Sequence, residues 1–251
     1  MSVLGTLVLL RHGQSITNAE GRFTGWADVA LTAHGEKQAV AAAELLARDG
    51  LVPDAVHTSV LRRSIRTADI LLQELDRSWI PVHRTWRLNE RQYGALTGRV
   101  KCEVRREAGP EQYRAWRRSL TVAPGPLPAD ALARLRADPR YAALRGGGLP
   151  AVESLADMIA RVAPYWADVP AGQLRSGRRV LVVAHGNALR ALIAVLDRLT
   201  EQEVEDLNIP TGAPLRYDFD RALRPVVRGG GYLDPDSART AAATVATEGQ
   251  A

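Results

Sequence analysis

The chain has a single cysteine, Cys102, so it can form no internal disulfide, and a reducing cytoplasm is its expected location. That thiol is read as buried or incidental. No apolar run approaches the ~18 residues that cross a membrane, and no membrane association is expected. The first apolar run is about a strand long and has no basic leader, which argues against a secretory signal. There is no zinc spacing, no Walker-type phosphate loop and no dinucleotide fingerprint. Lysine is nearly absent as well: only Lys37 and Lys101 accompany the arginines among 33 basic residues. Lys37 lies on a helical stretch and is expected to be solvated, whereas Lys101 follows a Gly-containing turn in the region of the candidate site.

What is present is an ordinary soluble composition, 46% hydrophobic and 24% charged, in 251 residues that suit one α/β domain with a large insertion. The net charge of +5 points to an anionic partner, either nucleic acid or a small molecule, and composition does not separate the two.

Two stretches carry the same idea. Leu7-Val8-Leu9-Leu10-Arg11-His12-Gly13-Gln14-Ser15 is an apolar run that ends in a cation, an imidazole and a glycine, and Val180-Leu181-Val182-Val183-Ala184-His185-Gly186-Asn187 repeats the pattern far downstream. Each reads as a buried strand delivering a histidine to its carboxyl end. If the two strands are parallel neighbours, both histidines emerge at one sheet edge, where open α/β sheets hold their ligands. Arg11 and the amides around Gly13 can converge there on an anion, and an imidazole so placed can attack phosphorus covalently.

Between these motifs strands and helices alternate, which predicts an α/β fold: a mainly parallel open sheet covered by helices on both faces. Thr32 caps a helix to about Arg48, residues 53–58 form a strand, Ser59 starts a helix through Arg63, Ile70 and Leu75, and residues 79–84 form a third strand. The alternation stops near Leu88. A polar, arginine-rich insertion at about 89–150, containing Gly146-Gly147-Gly148, is too long for a connector and is expected to form a helical and loop lid. A helix over about 153–168, the second histidine strand, a helix over about 189–199 and a capping box from Thr200 and Glu203 follow. Residues 215–219 and 225–228 are predicted as short closing strands, so that residues 1–228 make one domain. Residues 229–251 lack periodicity and are predicted to be a mobile tail.

The set Arg11-His12-Gly13-Gln14-Ser15, Phe23-Thr24-Gly25-Trp26, Thr58-Ser59-Val60-Leu61, Leu88-Asn89-Glu90-Arg91-Gln92-Tyr93-Gly94, Trp116-Arg117-Arg118, Ala184-His185-Gly186-Asn187 and Asn208-Ile209-Pro210-Thr211-Gly212 resembles the histidine phosphatase superfamily. Within it the likeness is to the cofactor-dependent phosphoglycerate mutases, over roughly residues 3–228. The resemblance implies that His12 is the phosphorylated nucleophile, that Arg11, Arg63 and His185 surround the transferred phosphoryl group, and that Glu90 acts as acid and base. It further implies substrate contacts from Gly13, Gln14, Ser15, Asn18, Thr24, Gly25, Arg91, Gln92, Tyr93, Lys101, Arg117, Arg118, Gly186 and Asn187. It implies phosphoglycerate substrates, priming by 2,3-bisphosphoglycerate, no metal, no nucleic acid and a homo-oligomer, dimer or tetramer.

The likeness has gaps. Gln14 stands where the family commonly has Glu, Thr17 replaces a frequent Trp, and residues 123–138 diverge most, so that lid packing there is not inherited. A phosphatase or a bisphosphoglycerate synthase on the same scaffold stays open, as does a non-catalytic protein that binds anions or nucleic acid.

Overall fold

All seven residues of Gly5–Arg11 are buried, and alternate side chains enter different cores: Leu7 and Leu9 one, Val8 and Leu10 the other. A strand apolar on both faces needs helices on both. The computed structural model describes residues 3–144 and 148–249, so Gly146 and Gly147 of the glycine run lie outside the described residues.

In chain order the elements are β1 (Gly5–Arg11), α1 (Ile16–Ala19), α2 (Ala33–Arg48), β2 (Ala55–Thr58), α3 (Arg62–Glu74) and β3 (Val82–Arg84). The insertion holds α4 (Lys101–Ala108), α5 (Pro110–Arg118) and α6 (Ala129–Ala137). Then come α7 (Leu155–Asp168), α8 (Pro170–Arg175), β4 (Arg179–Ala184), α9 (Gly186–Asp197), α10 (Glu201–Asp206), β5 (Leu215–Phe219), β6 (Gly231–Tyr232) and α11 (Pro235–Thr247).

The sheet order is β3-β2-β4-β1-β5-β6, with the first four strands parallel and β5 antiparallel to β1. Ala42, Ala43 and Leu46 of α2 and Ala68, Leu71 and Leu72 of α3 cover Val8, Leu10, Leu181 and Val183. On the other face Met158 and Val162 of α7, Leu174 of α8 and Leu189 and Leu192 of α9 cover Leu7, Leu9, Val180 and Val182. The decisive register is β1 on β4, where Arg11 pairs with Ala184, so the residues that follow, His12 and His185, leave the sheet side by side.

Several boundaries differ from expectation for local reasons. The helix expected from Ser59 begins at Arg62: Leu61 is extended, and the Ser59 hydroxyl accepts from Leu61 N at 3.1 Å while meeting His185 Nε2 at 2.8 Å. The third strand starts only at Val82, after Pro81, and Trp79 is 72% exposed outside the sheet. The helix expected from Leu189 begins at Gly186, where His185 is the N-cap. Residues 225–228 are not a strand: Pro225, which lacks an N–H, makes one bridge to Phe219, and β6 pairs with β5 instead.

Within the tail, residues 235–247 form a helix that the sequence reading did not include. Asp234 accepts from Ser237 N and Pro235 occupies the first turn, start signals that the lack of apolar periodicity obscured.

Candidate active site

Gly13 lets the chain leave β1 close to the first turn of α2: a Cβ on it would lie 2.1 Å from the Gly35 carbonyl oxygen. His12 Nδ1 is 2.7 Å from the Gly13 carbonyl, which only accepts, so this nitrogen carries the proton. Nε2 then keeps its lone pair and accepts from Arg63 Nε at 3.2 Å. Burial, reinforced by Arg63 and Arg11, pushes the His12 pKa well below its ordinary value. The result is a neutral imidazole with Nε2 available as a nucleophile.

The His185 ring meets that of His12 edge-on, with centroids 4.9 Å apart. Its Nε2 is 2.8 Å from Ser59 Oγ, and its buried Nδ1 has no hydrogen-bond partner among the described residues. Burial, then Arg63, His12 and Arg11, also push its pKa well down. Arg63 is fixed by donating to the carbonyls of Ala27 and Gly25 at 2.8 and 3.0 Å. Burial pulls its pKa down to about 10, still charged at neutral pH. Arg11 donates to the Ile209 carbonyl at 2.8 Å, and its buried Nε has no partner among the described residues.

A third buried histidine lies on β2: His57 is bonded to Tyr165 and Gln173, and burial lowers its pKa to about 4. For all three, the folded pKa is below the ordinary 6.5, so the unfolded chain binds more protons between the two values. Their contribution is therefore fully present above about pH 6.5 and is lost as pH falls, at up to ~1.4 kcal/mol per pH unit for each group. The thermal midpoint should drop between pH 7 and pH 5, and His57→Gln should show a shallower decline. A flat midpoint over that range would contradict this reading.

Glu90 enters from the loop after β3. Its Oε1 accepts from the backbone N–H of Arg91 at 2.7 Å and from the N–H and Nδ2 of Asn187 at 3.3 and 3.0 Å. The carboxylate thus caps the first turn of α9, where the helix dipole favours an anion. Oε2 makes no hydrogen bond among the described residues, and Glu90 lines the cavity. No ion pair joins Glu90 to Arg87 or Arg91.

The loop is held from behind by a buried pair, Arg161 and Glu153, 2.6 Å apart. Arg161 Nη2 donates to the carbonyls of Asn89 and Glu90, both at 3.0 Å, and Glu153 accepts from Gln92 N at 2.8 Å. Nothing in their local sequence separates these two from a solvated helix pair.

The cavity is lined by Arg11, Asn18, Thr24, Glu90, Tyr93, Lys101, Arg117, Arg118, Gly186 and Asn187, all expected from sequence, together with others that include Arg22, Arg190 and Glu248. Lys101 is the first residue of α4, and Arg117 and Arg118 end α5, so the insertion supplies three of the cations. Six cationic side chains face two carboxylates. Arg190 is buried and its pKa is lowered to about 9 by burial and by Arg118 and Arg91; it clamps Asn187 Oδ1 at 2.9 Å and the Val204 carbonyl at 2.6 Å. Its position on α9, three residues after Asn187, was the available signal.

Other expected contacts are not on the cavity wall. Gln14 Oε1 accepts from Thr32 at 2.9 Å, Ser15 caps α1, Gln92 Oε1 accepts from Gly94 N at 3.3 Å, and the Gly25 carbonyl holds Arg63. Arg91 stacks on Tyr93 at 4.6 Å and donates to the Trp116 carbonyl, and its buried Nε and Nη1 have no partner among the described residues. His12, Arg63 and His185 are fully buried, at 3%, 1% and 0% exposure, and do not line the cavity themselves. Cys102 is exposed and takes no part.

Paired histidines at one sheet edge, with Arg11 and Arg63 beside them, are an arrangement suited to holding a phosphate, and the chain belongs to the histidine phosphatase superfamily (branch 1), whose family model matches residues 7–138 and 128–228. Among its relatives, the 2,3-bisphosphoglycerate-dependent phosphoglycerate mutase of Mycobacterium tuberculosis (strain H37Rv) is 54% identical over 250 residues, covering 100% of both chains. The protein of the same name from Clavibacter sepedonicus is 53% identical over 97% of each. Among solved structures, the mycobacterial glucosyl-3-phosphoglycerate phosphatase with VO3 matches with a TM-score of 0.69 and 28% identity, over 90% of this chain and 100% of that one.

Proposed function

We propose that this chain interconverts 3-phosphoglycerate and 2-phosphoglycerate through a phosphohistidine at His12 primed by 2,3-bisphosphoglycerate, a step of glycolysis and gluconeogenesis. The observation that carries the reading is the convergence of Lys101, Arg117 and Arg118 from the insertion onto the same cavity as Arg11 and Glu90. A simple phosphomonoesterase needs less cation for the part of the substrate that does not react. Arg11 lines this cavity and its buried Nε has no partner among the described residues, which fits an anionic ligand whose oxygens would satisfy it. Full-length relatives at 53–54% identity that carry the mutase name support the same reading.

Bisphosphoglycerate supplies the first phosphoryl group. His12 Nε2 then forms the N–P bond as the P–O bond breaks, and Arg11, Arg63 and His185 hold the charge spread over the equatorial oxygens. Glu90 Oε2 takes the proton of the hydroxyl that attacks phosphohistidine, and returns a proton to the oxygen that departs when the other phosphate moves back to His12. The cations of the insertion hold the intermediate while it turns over, and the burial of His12 limits the access of water to the phosphohistidine. The proposal includes a cytoplasmic homo-oligomer with no membrane, nucleic-acid or metal partner.

The phosphatase relative gives a second reading on the same scaffold. Isomerisation assayed with a chelator, with and without added bisphosphoglycerate, separates them. The mutase reading expects isomerisation that depends on bisphosphoglycerate and survives the chelator. Fast phosphate release with negligible isomerisation would select the phosphatase.

A further inference from the structure

The tail reaches the cavity. Glu248, just past α11, pairs its carboxylate with Lys101 and, at 3.2 Å, with Arg117. Its carbonyl accepts from Arg117 Nη1 at 2.8 Å and from the Tyr113 hydroxyl at 2.9 Å, and Arg117 also reaches the Val245 carbonyl at 3.4 Å. The negative end of α11 therefore rests on a guanidinium, as helix termini favour. Gly249 completes the seat: it has φ of +79°, and a Cβ on it would lie 2.1 Å from the Tyr113 hydroxyl oxygen, so a larger residue does not fit.

This carboxylate is enclosed. The Lys101, Arg117 and Glu248 side chains are 9%, 11% and 25% exposed. Burial pushes the Glu248 pKa up, but Lys101, Arg11 and Arg117 outweigh it and hold the group below its usual range, so it stays ionised at neutral pH. The cavity beside it is about 70 Å³. Pockets for small ligands generally reach ~300–1,000 Å³. A carboxylate of the chain thus sits on cations assigned above to the substrate, which is itself a carboxylate.

We infer that Glu248 is an intramolecular competitor for a carboxylate subsite formed by Lys101 and Arg117, and that a phosphoglycerate is admitted by exchanging its own carboxylate for that of Glu248. The inference rests on the proposed substrate class. It makes Glu248 a specificity-determining residue: a phosphate compound without a carboxylate has nothing to offer Lys101 and Arg117 in exchange, so the tail stays seated on them.

Calorimetric titration of the unphosphorylated protein with 3-phosphoglycerate and with inorganic phosphate tests this in the parent, Glu248→Gln and Gly249→Ala. Glu248→Gln removes the charge, while Gly249→Ala unseats the tail and keeps it. Both variants should bind 3-phosphoglycerate about 10-fold more tightly, the scale of one buried charge pair. Affinity for inorganic phosphate should change less than about 2-fold, because it engages the Arg11 and Arg63 end alone. Unchanged or weaker 3-phosphoglycerate binding in both variants would overturn the inference, the weaker result being that of a tail that helps to hold the substrate. Absence of 3-phosphoglycerate binding in the parent and in both variants would instead remove the proposed substrate, and the inference with it.

Discussion

Replacing His12 with alanine should reduce isomerisation by at least ~10⁴-fold, as loss of a covalent nucleophile does elsewhere. Nothing nearby can substitute. His185 is the adjacent imidazole, but its Nε2 is engaged with Ser59, and it does not occupy the position where Arg63 and the Gly13 carbonyl fix the tautomer. The variant leaves Arg63 Nε without its acceptor, a loss on the order of 1–3 kcal/mol for a buried donor, so thermal unfolding should accompany the kinetics. A folded His12→Ala protein that retained more than about a hundredth of parental isomerisation would be incompatible with a His12 nucleophile.

Glu90→Gln should lower kcat by ~10²–10⁴-fold with little change in KM. The glutamine carbonyl can keep the hydrogen bonds that Oε1 accepts from Arg91 and Asn187, so the loop and the start of α9 should stay in place. What is lost is the proton acceptor at the second oxygen. Steady-state kinetics decide the matter: a rise in KM at unchanged kcat would mean that Glu90 only shapes the pocket.

The meeting of His12 and His185 at one sheet edge was legible because it depends on short-range rules. A strand buried on both faces has to be apolar throughout, as Leu7-Val8-Leu9-Leu10 and Val180-Leu181-Val182-Val183 are, and parallel pairing then carries the residue after each strand to one edge. The helices with side-chain caps were legible too, α2 from Thr32 and α10 from Thr200 and Glu203.

The supports were harder to read because their partners are remote in sequence. Arg161 acts on Asn89 and Glu90, and Arg190 acts on the carbonyls of Arg117, Arg118 and Val204. In the sequence each is one arginine among many. Gln14, Ser15 and Gln92 lay within the right motifs, but backbone geometry turns their side chains toward caps and turns. The helix within the tail was not legible because α11 is alanine-rich and its signal is its cap and its propensity, since it has little apolar face.

The most direct test of the account is transfer of label from phosphate-labelled 2,3-bisphosphoglycerate to the protein, followed by mapping of the labelled residue. The account predicts an acid-labile, base-stable phosphoryl group on His12, discharged on adding 3-phosphoglycerate and absent in His12→Ala. A parent protein that isomerises phosphoglycerates without ever carrying label, or that carries it on another residue, would contradict it.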